Sequence, residues 1–125
     1  MKKDITCRAD IELLINTFYE KVKKDNLLSQ FFEKIKWDRH LNIMYDFWEN
    51  IIFQTGSYVG NPMNIHEKLA GKMQLNKNDF KRWIKLFLKS IDELFEGTNA
   101  DLARNRAISI ASVMQNKFIA AKKKA

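Results

Sequence analysis

The chain has 125 residues, 46% of them hydrophobic and 12% aromatic, which suits one domain over residues 1–125 and excludes a disordered polymer. Its one cysteine, Cys7, excludes an internal disulfide framework, and no run of about 18 apolar residues is present to span a bilayer. The net charge of +7 is spread out apart from Lys21 to Lys24 and the tail Lys122 to Lys124, and such runs usually form solvated faces, so neither nucleic acid nor membrane is expected as a partner.

Asp4, Arg8 and Asp10 deny the first residues the apolar segment of a signal peptide, so a soluble, cytoplasmic protein is expected. Four glycines and one proline are too few for the many tight turns of an all-β domain, and the long periodic stretches favour an all-α fold.

The first helix is expected from about Ala9 to Lys24, with Ile11, Leu14, Phe18 and Val22 on one face and Leu13 widening it. Cys7 lies before it, in a terminus expected to be mobile. Tyr19 falls at the edge of the apolar stripe, where its hydroxyl needs either water or a partner inside a pocket. Asp25-Asn26 breaks the helix. Ser29 can then cap a short turn carrying Phe31 and Phe32, and either ring can pack in the core or on a ligand.

Asp38 is a plausible N-cap for a second long helix, to about Gln54. Leu41, Met44, Tyr45, Trp48, Ile51 and Ile52 form its apolar face. His40, Met44 and Phe47 stand at i, i+4 and i+7 and line one side of it. A lone histidine near a helix start is more often a surface residue, but these neighbours favour an inward one.

After a loop over Thr55 to Gly60, Asn61-Pro62 opens a short helix that ends at Gly71. Met63, His66 and Leu69 share its face. A short helix that spends its inward face on a histidine buries little apolar area, and this is the main reason to expect a ligand at His66. Asn76 caps the next helix, to about Glu96, with Phe80, Trp83, Ile84, Phe87, Ile91, Leu94 and Phe95 in its stripe. Gly97 closes it. Thr98 or Asn99 opens the last helix, with Leu102, Ala103, Ile110, Val113, Met114 and Phe118 along its buried side.

One cysteine and two widely spaced histidines are too few for a closed zinc site of those ligands, and no glycine-rich phosphate loop follows a strand. Haem fits better. It needs one neutral imidazole as axial ligand and a large apolar slot, which helices rich in Phe, Trp and Met supply.

The order Phe18-Tyr19, Phe32, Trp37-Asp-Arg-His40, Phe47-Trp48, Tyr58-Val-Gly60-Asn-Pro62-Met-Asn-Ile-His66 and Phe80-Lys-Arg-Trp83 resembles a truncated haemoglobin, most closely the third group of that family. The resemblance runs from about Ile11 to Met114. It implies a two-over-two helical sandwich around haem b, with His66 as the proximal iron ligand. Tyr19, His40 and Trp83 would form the distal pocket. Phe32, Met44, Phe47, Met63 and Leu69 would contact the cofactor, and Arg39, Lys68 and Lys72 are candidates for its propionates.

The ligands implied are dioxygen, carbon monoxide and nitric oxide. A hydrogen bond to a charged partner is worth about 1.5–3 kcal/mol, and each 1.4 kcal/mol is about tenfold in affinity. Two donors on a partly negative ligand therefore imply tight binding and slow release. That suits nitric-oxide or oxygen chemistry, or sensing, better than bulk oxygen transport. A nitric-oxide dioxygenase or peroxidase-like activity stays open, and a reductase is an expected partner for a monomer or weak dimer. The competing readings are a haem peroxidase-like enzyme and a cofactor-free basic helical interaction module.

Overall fold

The computed structural model describes residues 2–29, 37–55 and 77–124. Among these residues the regular structure is helical: α1 (Arg8–Lys24), α2 (Trp37–Phe53), α3 (Lys77–Leu94) and α4 (Thr98–Lys124). The helix α1 packs on α2 and α3, and α4 packs on α3 and α2, so each helix has two main neighbours and the core lies between them.

The apolar period of α1 is what buries it. Ile11, Leu14, Ile15, Phe18, Tyr19 and Val22 are all buried, at the spacings of one helical face. Leu13, expected to widen this face, is 48% exposed instead. It falls about 100° around the helix from Leu14, away from both neighbouring helices. Asp10 in the first turn and Lys21, Lys23 and Lys24 in the last complement the helix dipole.

Asp25 ends α1 with extended backbone, as its position suggests. Its carboxylate also accepts from the Leu27 and Leu28 N–H groups, at 3.1 Å each, and from Arg82 Nε at 2.7 Å. A residue that stops one helix thus also ties that corner to α3.

The second helix starts at Trp37, one residue before the expected cap, so Asp38 sits in the first turn. There its charge still faces the positive helix end. At the other end Gln54 takes φ 54° and its N–H bonds to the Asn50 carbonyl at 2.8 Å. This left-handed closing position is one that glycine usually fills.

The residues before α1 are pinned rather than mobile. Asp4 accepts from the Asn99 N–H at 3.0 Å and the Ala100 N–H at 2.9 Å, so it caps α4 from far along the chain. The Asn99 side chain donates to the Ile5 carbonyl at 2.7 Å, and the Glu96 N–H donates to the Lys3 carbonyl at 3.0 Å. Ile5 is wholly buried. Gly97 lies under this clasp with φ 139°, and a Cβ there would stand 2.5 Å from Asp4 Cγ.

The buried face of α4 differs from the one expected. Among the side chains described, Ala100, Ala103, Ala107 and Ala111 are buried, with Leu102 and Ile110 half-buried, whereas Val113 is 53% exposed. Alanine lets the backbone of α4 approach its neighbours closely, and that register turns Val113 outward. The side chains of Met114 and Phe118 lie outside the described residues.

Candidate functional site

Tyr19, in the fourth turn of α1, and His40, in the first turn of α2, meet in the interior. Both are buried, at 5% and 8% exposure. Tyr19 Oη lies 2.8 Å from His40 Nε2, and the rings meet edge to face at 5.2 Å and 77°. Two donor assignments satisfy this contact. Either the phenol O–H donates to a bare Nε2, or Nε2–H donates to the phenol oxygen and the phenol proton is directed elsewhere. Burial pushes the Tyr19 phenol well above its usual value of 10.0, so the hydroxyl stays protonated.

Beside this pair lies a small apolar cavity, of a size for one water or diatomic molecule. From α1 it is lined by Ile15, Phe18 and Tyr19, and from α2 by Met44, Phe47 and Trp48. Trp83 and Phe87 of α3 and Ile110 of α4 are the other described residues of the wall. Among the described residues every one that lines it is apolar or aromatic, with side-chain N–H and O–H groups only on the phenol and the two indoles.

The rings hold one another in place. Phe18 meets Trp83 edge-on at 5.7 Å and 89°, and Phe87 at 5.1 Å and 79°. Phe87 is stacked between Trp48, at 4.9 Å, and Trp83, at 5.8 Å. Such contacts fix ring orientation as well as burying area. Trp83 is thereby set in the wall facing Tyr19 rather than left as a loose rim residue.

Of the residues singled out by sequence, Tyr19, Met44, Phe47 and Trp83 reach the cavity wall, and His40 meets it through Tyr19. Arg39 is exposed on α2 and stands apart from the lining. Phe32, Met63, His66, Lys68, Leu69 and Lys72 lie outside the described residues. Ile15, Phe18, Trp48, Phe87 and Ile110 line the wall as well, although periodicity alone gives them no role beyond core. The signal that finds Ile15 is its helical spacing from Tyr19, four residues before it, whereas Phe18 is found only by its place in the apolar stripe of α1.

No family model matches the chain. The fold superimposes on the crystal structure of a group III truncated hemoglobin from Campylobacter jejuni with a TM-score of 0.81, at 29% identity, over 94% of this chain and 95% of that one. The architecture is therefore the all-α truncated globin fold that the sequence resemblance implied. A group 3 truncated hemoglobin of Campylobacter jejuni is 30% identical over 122 residues, spanning 93% of this chain and 94% of its own length. The chain belongs to the group III truncated haemoglobin family.

Proposed function

We propose that the chain binds haem b through His66 and uses the cavity of Tyr19, His40 and Trp83 to hold dioxygen and other diatomic ligands. The observation that carries this reading is the buried Tyr19–His40 contact at 2.8 Å beside a cavity walled by aromatic rings. The described part of the wall fits one face of a flat apolar cofactor, since it is apolar apart from N–H and O–H groups able to donate to a small ligand. The name truncated hemoglobin, carried by the matched protein and by the matched structure, supports the same cofactor.

When bound, haem b supplies an iron that holds a diatomic ligand and leaves it partly negative. The Tyr19 hydroxyl donates to that charge. It is free to do so when His40 Nε2–H donates to the phenol oxygen, so His40 orients the donor. The Trp83 indole N–H is the second donor. The surrounding rings exclude water, which strengthens both bonds. Arg39, with Lys68 and Lys72, would pair with the propionates. Firm holding of the ligand favours nitric-oxide or oxygen chemistry, or sensing, over bulk transport, and ferrous iron must then be restored by an outside electron donor.

The test is the absorption spectrum of purified protein, ferric and then ferrous with carbon monoxide, for wild type and His66→Ala. A strong Soret band that weakens or shifts in the variant is the expected result. A folded wild-type protein that takes up no haem would overturn the proposal.

A further inference from the structure

The charge of this protein looks scattered along the sequence but is gathered in the fold. Lys77, Lys81, Lys85 and Lys89 are all exposed and stand four residues apart on α3. At 1.5 Å per residue they form one ridge, with about 6 Å between neighbours and about 18 Å from end to end. Among the described residues none of the four ammonium groups has an ion-pair partner.

The nearby acids are already taken. Asp92 accepts from Arg104 Nε of α4 at 3.0 Å, and Glu93 accepts from Lys21 Nζ of α1 at 2.8 Å. Lys21 holds the Glu93 carboxyl below its usual range, and Lys89 and Lys2 close by add to that field. Like charges at this spacing disfavour a helix. Among the described residues the ridge is thus a row of positive charge without ion pairs, compensated only at its Lys89 end by the field of Glu93.

We infer that the lysine ridge on the solvent face of α3 is a docking surface for an acidic electron-carrier protein. The ridge is all lysine, a strongly hydrated point charge suited to steering and release rather than to forked recognition of phosphate. The exposed large hydrophobic residues among those described are Leu13, Leu27, Ile108 and Val113, none of them on α3. The face therefore offers no apolar wedge for a membrane and no stacking platform for single-stranded nucleic acid.

The opposite side of the same helix carries Trp83 and Phe87 in the cavity wall. A partner on the ridge stands about one helix diameter, about 10–12 Å, from that wall. The role of the docking, though not the docking itself, rests on the haem reading. The carrier loses one electron and the ferric iron gains it, becoming ferrous.

The experiment uses purified flavodoxin, an acidic one-electron carrier, as the probe. Its association is measured by calorimetry at low and high salt with wild type and with two quadruple variants, Lys77, Lys81, Lys85 and Lys89 all changed to Gln or all to Arg. Helix content is checked by circular dichroism. The Gln variant should bind at least about tenfold more weakly and lose its salt dependence, and the Arg variant should keep both. Reduction of the ferric protein by reduced flavodoxin should slow in step, while reduction by dithionite should not.

Equal binding by wild type and the Gln variant would overturn the inference. So would ridge-dependent binding to duplex DNA or phosphatidylserine vesicles in preference to flavodoxin. A colourless protein with ridge-dependent flavodoxin binding would refute the haem reading and leave the docking surface standing. A red protein whose flavodoxin binding ignores the ridge would refute the docking alone.

Discussion

Changing Tyr19 to Phe removes one oxygen from the buried wall of the cavity and leaves the ring in place. The ring is 5% exposed and packs against Phe18 at 4.9 Å, so the change is close to isosteric. Two effects follow from the lost oxygen. The ligand loses a donor worth about 1.5–3 kcal/mol when its partner is charged, which at 1.4 kcal/mol per decade is a rise of about 10- to 150-fold in the dioxygen off-rate. His40 Nε2 also loses this buried contact at 2.8 Å, which costs about 0.5–1.5 kcal/mol of stability.

The off-rate is measured by stopped flow, with carbon monoxide trapping the vacated iron, and the stability by thermal melting. An off-rate within about threefold of wild type, in a folded and haem-loaded variant, would refute the role given to Tyr19. His40→Leu and the double variant then test the orientation step. If His40 acts by aiming the phenol, its effect on the off-rate should largely vanish in the Tyr19→Phe background, because coupled residues are not additive.

Gly97→Ala should destabilise the fold by about 1–3 kcal/mol, because φ 139° strains any side chain and the new Cβ would press on Asp4 at 2.5 Å; a melting curve unchanged from wild type would exclude the clasp as drawn. The Asp10 carboxyl gives a pH dependence. Burial raises its pKa, but the Lys3 ammonium, the Thr6 N–H and the Thr6 hydroxyl outweigh this and hold it at about 2. Its folded value lies below the unfolded one, so its contribution is present above pH of about 4 and lost as pH falls toward 2, amounting to about 2 kcal/mol at most. Asp10→Asn should flatten the loss of stability over that window in an acid titration followed by circular dichroism.

Much of the fold is legible in the chain itself. The apolar positions from Ile11 to Val22, and those from Phe80 to Phe95, repeat at helical spacing, and Asp25 and Gly97 mark where helices stop. The family is legible too, in the order of Tyr19, His40, His66 and Trp83 among aromatic neighbours that carries the resemblance. Less legible is α4, whose core face is alanine. Alanine adds little to any apolar pattern; Ala103 and Ile110 fall on the expected inner side, while the larger Val113, expected with them, is exposed.

The sequence by itself thus determined the helices, their order and the residue types offered to a pocket. Periodicity reports which side of a helix is apolar, and that is a local property of the chain. Only the tertiary structure decided what each side meets. It set the Tyr19 hydroxyl against His40, brought Asp4 to the start of α4, and paired Asp92 and Glu93 with Arg104 and Lys21, leaving the α3 lysines without ion pairs among the described residues. Those pairings depend on how helices cross, and a polar side chain finds its partner only once the crossing is made.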